Sequence, residues 1–298
     1  MQAMPILGAI LGGRLVNQAV TGVMSPVRIS ESDLNSTLLV RSDEAFEMYW
    51  HDTEERFDPS KDFGPLRVPG HQMWIEFKTP RRGCANGEWR DLDPMNYAVV
   101  VTERKLKNGN FRITAFPYVM DPNGGAIASM QVGETMIVDR DGKMIPGSLM
   151  ISVPGGVPTD LAERTLAEKG EAAFHGMAHI CRAAYITIGL MNCKNVTTTE
   201  TDKGGPKRSR SRRKRSPRLT YRTINIPGYQ SAPSTASAKR DGEPSVAVHR
   251  VRGHFKTFTA EKPLMGRHVG TYWWGWQVRG SAKNGAVVSD YKVTKTAA

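Results

Sequence analysis

The sequence predicts an α+β protein: an antiparallel sheet with one long helix, followed by a small β-rich C-terminal module. Three observations lead there. Between Met73 and Phe116 short segments alternate apolar and polar residues, the repeat of strands with one buried face. From Thr159 to about Met191 apolar residues recur at helical spacing. Residues 203–218, KGGPKRSRSRRKRSPR, contain no aliphatic or aromatic side chain, so nothing there can be buried and the chain divides. The expected parts are an α+β domain over 1–200, a flexible basic linker over 201–218, and a β-rich basic module over 219–298.

Taken in order, residues 1–36 read as irregular, with Met4 to Ile10 a strand or a tucked-in arm and Ser30 to Ser36 a polar turn. Thr37 to Val40 reads as a short strand, and Ser42-Asp43-Glu44 before Ala45 to Trp50 as a capped helix start. Asp58 to Gly64 is loop. Met73 to Phe77 alternates in period two, and Tyr97 to Thr102 is the continuous apolar run of a central strand. Phe111 to Phe116 alternates again after the turn Lys107-Asn108-Gly109-Asn110, so these last two segments form the clearest hairpin. Gly133 to Gly142 supplies a weak strand and an Asp141-Gly142 turn, and Leu149 to Val153 a further strand. Thr159 or Asp160 caps the long helix, Glu163 and Glu168 favour its early turns, and Leu161, Phe174, Ile180, Ala184 and Leu190 lie on its apolar face. Leu219 to Ile226 alternates and opens the C-terminal module. Val246 to Phe258 and Gly270 to Gly280 follow as strands, with a weak last strand over Ala286 to Val293.

The chain carries a net charge of +12, and all of the excess is C-terminal. Residues 1–202 hold 20 Lys and Arg against 25 Asp and Glu; residues 203–222 hold 10 against none; residues 245–298 hold 9 against 2. Such a concentrated field is suited to a polyanion. Three cysteines, Cys84, Cys181 and Cys193, have no CxxC or Cys/His zinc spacing, and their odd number argues for a reducing compartment. The apolar run in MQAMPILGAILGG has no charge before it and is too short to span a bilayer, so neither a signal peptide nor a membrane helix is expected. There is no P-loop, GxGxxG or GxSxG elbow; Gly8 to Gly13 has P-loop glycine spacing but runs into Arg14-Leu15.

Two features carry the chemistry. In the basic run Arg208, Arg210, Arg212, Arg213, Lys214 and Arg215 are dense enough to neutralise phosphates and release counterions; the bland alternative is a solvated linker. The stretch Val246 to Gly280 holds three of the seven histidines and three of the six tryptophans. As one strand, its first half puts Arg250, Arg252, His254 and Lys256 on one polar face and His249, Val251, Gly253 and Phe255 on the other. The second half puts Trp273, Gln277 and Arg279 together, and Tyr272, Trp274, Trp276 and Val278 opposite. A face of cations with one exposed indole, Trp273, can clamp phosphate and stack a base, with Arg267 contributing from the connection. The alternative is core tryptophans and solvated arginines. A metal-independent ribonuclease reading would use His254 and His268 as acid and base, with Arg252, Lys256 and Arg267 as clamps. Glu261 and Asp290 are the only carboxylates after 245, too few for a two-metal centre. His175 and His179 are spaced i, i+4, but HGMAH lacks the metalloprotease Glu, and a packed pair is preferred to a metal site. No metal and no cofactor are expected.

The succession PRLTYRTINI, HRVRGHFKTFT and EKPLMGRHVGTYWWGWQVRG resembles the C-terminus of uncharacterised proteins from bacteriophages and prophage-bearing bacteria, which end in a VRGHF…GxYWW…VRG signature after an Arg-rich stretch. The likeness covers roughly 215–280, with LRVPGHQMWIEF a partial match before it. It implies a phage or prophage setting and no catalytic residues. The expectation is a nucleic-acid-binding protein, DNA or RNA, in the cytoplasm of a bacterial host, with nucleoid association as a second option. A ribonuclease or toxin-like enzyme, and a non-catalytic protein that meets a host or virion protein, remain as alternatives. No membrane partner is expected.

Overall fold

The computed structural model describes residues 4–18, 23–25, 31–43, 62–85, 88–122, 126–129, 132–152, 178–202, 220–226, 247–251, 253–275, 277–279 and 281–286. In chain order the elements begin with helix α1 (Pro5–Leu11), strands β1 (Val16–Gln18) and β2 (Val23–Ser25), helix α2 (Glu31–Ser36) and strand β3 (Leu38–Arg41). Next come β4 (Gln72–Ala85), β5 (Glu88–Lys105), β6 (Phe111–Met120), β7 (Ile127–Ser129), β8 (Gly133–Val138) and β9 (Met150–Ser152). Helix α3 spans 178–191. Then follow β10 (Thr197–Asp202), β11 (Thr220–Asn225), β12 (Ala247–Val251), β13 (His254–Phe258), β14 (Gly270–Trp274), β15 (Gln277–Arg279) and β16 (Ser281–Ala286).

The apolar run in β5 is central because both of its faces are covered. Val99 stands opposite Ile75 on β4, and Val101 opposite Met73 and, across the other edge, Ala115 of β6. Met73, Ile75, Phe77, Val99, Val101, Ile113 and Ala115 enter the larger core, where α3 contributes Cys181, Ala184, Tyr185 and Ile188. Their alternate neighbours Leu39, Trp74, Ala98 and Met120 enter a second core with Ile6, Leu7 and Ile10 of α1. Period-two alternation is thus read by two different helices on opposite faces of one sheet. The β4–β5 ladder shifts register between Thr79 and Arg81, where Pro80 faces the Asp93-Pro94 pair. Neither proline has an N–H to give the ladder. On the far edge of β6 the partner changes: residues 111–115 pair with β8, residues 118–120 with β7. Pro117, again without a donor, sits at that fork.

The large sheet has eleven strands, in the order β10-β11-β3-β4-β5-β6-β7-β1-β2, with β8 and β9 branching from β6. It is mixed: β11/β3, β3/β4 and β1/β7 run parallel. The expected α+β class, an antiparallel sheet with one long helix, is therefore corrected: the chain is mostly β, and its described helices are short. The expected helix from Thr159 lies within the described residues only over 178–191, and the rest, with His175, falls outside them. Part of the difference lies in strands with weak apolar signals. β10, sequence TTTETD, buries little and was not expected at all. The N-terminal arm is a helix, because Pro5 fits its first turn and Ile6, Leu7 and Ile10 are buried. Among the described residues no helix is long and apolar enough to cross a membrane.

Three carboxylates buried in this frame differ in how they are held. Glu76, fully buried on β4, accepts the backbone N–H groups of Ile6 (3.2 Å) and Leu7 (2.8 Å) and the indole N–H of Trp74 (2.8 Å), which pins α1 to the sheet. Burial raises its carboxyl to about 7, against the pull of those bonds and of Arg41. Glu134 on β8 is likewise raised to about 7 by burial, opposed by Arg182, and its Oε2 has no hydrogen-bond partner. Glu103 behaves oppositely. Burial pushes it up, but the Arg67 guanidinium at 2.9 Å, the Val68 N–H and His71 leave it below its ordinary value.

Candidate nucleic-acid interface

The C-terminal strands depart from expectation in three ways. β11, expected to open a separate module, lies in the large sheet between β10 and β3. The strand expected over Val246 to Phe258 is divided between two sheets: among the described residues β12 pairs with β15 and β16, whereas β13 pairs with β14. The polar face expected from Arg250 to Lys256 is thus divided between β12 and β13, which belong to different sheets, and Arg252 lies outside the described residues. The third departure concerns the tryptophans. Trp273, expected as the exposed indole, is 9% exposed and belongs to the larger core, packed edge-on against Phe255 with centroids 4.7 Å apart.

Local contacts explain that burial. After α3, the Asn195 side chain accepts the Trp273 N–H at 2.8 Å and donates to its carbonyl at 2.7 Å, while the Lys194 N–H donates to Thr271 O at 2.9 Å. The β14 backbone is thus bound to the helix exit, and its inward side chain must enter the core. Beneath it, Asn192 donates to the carbonyls of Pro65 and Arg67 and holds that segment to the end of α3. Phe255 reaches the same place through two glycines. A Cβ on Gly64 would lie 2.7 Å from its ring, and one on Gly189 would lie 3.1 Å from the ring and 1.9 Å from the Phe63 carbonyl oxygen. Gly253 of the VRG triplet is required likewise, since its Cβ would lie 2.5 Å from Cζ2 of Trp273.

With Phe255 and Trp273 turned inward, the register decides what faces out. His254 stands opposite Trp274, Lys256 opposite Tyr272, and Phe258 opposite Gly270. His254 and Lys256 are exposed; Phe258, Tyr272 and Trp274 are half-buried. The His254 imidazole lies near parallel to the Trp274 indole, 22° between planes with centroids 6.5 Å apart. The Lys256 ammonium stands 5.1 Å from the centroids of both Trp274 and Phe258, and Phe258 meets Tyr272 edge-on at 5.9 Å. This is a mixed cationic and aromatic surface. Sequence reasoning placed His254 and Lys256 on it, assigned Trp274 to the wrong side, and missed Tyr272 and Phe258.

The connection 259–269 closes in a tight turn, with Leu264 and His268 exchanging backbone hydrogen bonds and Met265 at the tip 82% exposed. Arg267 is exposed beside it and donates from Nε to His268 Nε2 at 3.0 Å. His254 and His268 are not brought together. Four ladder steps separate the His254/Trp274 rung from the Phe258/Gly270 rung, about 13 Å at the usual rise, and His268 lies beyond the latter. Arg250 and Arg279 sit in neighbouring strands, Arg250 level with Val278 and Arg279 level with His249. Arg252, Trp276 and the basic run, including Arg208, Arg210, Arg212, Arg213, Lys214 and Arg215, lie outside the described residues. Among the described residues no group of three or more His, Cys, Asp or Glu could hold a metal ion. Cys181 and Cys193 are buried thiols; burial drives Cys181 well above its usual value and Cys193 to about 12. Compared with protein-family models, curated proteins and solved structures, the chain matches none.

Proposed function

We propose that this is a nucleic-acid-binding protein of a phage or prophage, acting in the cytoplasm of the bacterial host through the outer face of the β13–β14 hairpin and the basic run before it. The observation that carries the reading is that His254, Lys256 and Trp274 share one accessible face, with exposed Arg267 at the end of the same hairpin. Glu261 is the only acid between 245 and 289, so little on the hairpin opposes a phosphate backbone. The run over 207–215 adds sequence-independent attraction to any polyanion. The separation of His254 from His268 gives the ribonuclease reading no support, so binding without cleavage is preferred.

The test is fluorescence anisotropy with labelled DNA and RNA oligonucleotides at 50 and 200 mM salt. Affinity is expected to fall at least tenfold between the two, and Lys256→Glu to weaken binding at both. No binding to any DNA or RNA at 50 mM salt, with salt-insensitive binding to a purified host or phage protein, would overturn the reading.

A further inference from the structure

From the hairpin geometry we infer that its outer face takes single-stranded rather than duplex nucleic acid, with an unpaired base laid on Trp274 and the adjoining phosphate met by Lys256. The inference rests on the nucleic-acid reading above and specifies its substrate. In a duplex each base face is covered by the neighbouring pair, so an aromatic ring on a protein surface can stack only where a base is unpaired. A duplex-reading surface needs cations and hydrogen-bonding side chains at groove edges; three half-buried aromatic rings in that position would be wasted or would have to act as wedges.

Three observations place the rings for stacking. Trp274, Tyr272 and Phe258 all lie on the side of the hairpin opposite to the core, because Phe255 and Trp273 occupy the inner side. The β14 backbone that carries Tyr272 and Trp274 is held from behind at Thr271 and Trp273 by Lys194 and Asn195, which lowers the cost of ordering this strand on binding. A charge stands over two of them: Lys256 sits 5.1 Å from the Trp274 and Phe258 ring centroids and is exposed. A lysine ammonium lies on a flexible stem. It can swing from the indole to a phosphate when a base takes its place, exchanging a cation–π contact for a charge-assisted one. His254, near parallel to Trp274, extends the platform by one ring.

The experiment compares four ligands of equal length with the full chain: single-stranded DNA, single-stranded RNA, duplex DNA, and an abasic deoxyribose-phosphate strand that keeps the phosphates but has no bases. Wild-type protein is expected to bind the single strands at least tenfold more tightly than the abasic strand. Trp274→Ala should remove about tenfold of single-strand affinity and leave abasic and duplex affinities unchanged, while Trp274→Phe, which keeps an aromatic face, should restore most of it. Equal binding of base-bearing and abasic strands, or equal loss for Trp274→Ala on all four ligands, would overturn the single-strand inference while leaving nucleic-acid binding intact. Absence of wild-type binding to every ligand would remove the underlying reading as well.

Discussion

Glu134 and Glu76 each make stability depend on pH, since each is a carboxyl held by burial at about 7 from an ordinary 4.5. Between those values the folded chain binds protons that the unfolded chain has released, so stability falls as pH rises through that window. Each shift corresponds to on the order of 3 kcal/mol at most. Urea unfolding midpoints should therefore be lower at pH 8 than at pH 5, and Glu134→Gln should flatten that slope. Glu103 has the opposite sign: its contribution is complete above the ordinary carboxylate range and is lost as pH falls through its depressed value. None of the three belongs to the proposed binding face on β13 and β14. Within one strand, alternation decides which side chains share a side, as His254 and Lys256 do on β13. Trp274 and Trp273 were exchanged because alternation does not say which side of β14 joins which side of β13.

At the scale of elements, the hairpin depends on the exit of α3. Asn195 satisfies both backbone polar groups of Trp273, and nothing in the hairpin itself replaces it. Asn195→Ala should cost about 1–3 kcal/mol locally, because the N–H and carbonyl it leaves are part-buried. Hydrogen exchange at residues 271–274 should accelerate at least tenfold while β4 and β5 amides stay protected, a local opening rather than global unfolding. Under the proposed function oligonucleotide affinity should weaken with it, since that backbone presents Tyr272 and Trp274. None of this was legible in the sequence. Asn195 and Trp273 are far apart in the chain, and an asparagine after a helix reads locally as a cap or turn residue.

At the scale of the molecule, the charge distribution is the dominant feature, with front-half acidity and a basic C-terminal part. Removing 207–215, which carries seven Lys and Arg, should lower the slope of log affinity against log salt by several units, at roughly 0.7 to 0.9 per phosphate no longer neutralised. An unchanged slope in titrations at several salt concentrations would make the run a spacer. The sequence by itself determined that charge gradient, the central strands Met73 to Phe77, Tyr97 to Thr102 and Phe111 to Phe116, and the turns at Asn108-Gly109 and Asp141-Gly142. All of these are local properties, set by side-chain period, turn chemistry and the sign of charge. Only the tertiary structure decided that the sheet is mixed and eleven-stranded, that β11 belongs to it, and which indole of the Trp273-Trp274 pair faces solvent. Those outcomes depend on which edges pair and in what register, and pairing is chosen by contacts between segments far apart in the chain, where no local pattern records it.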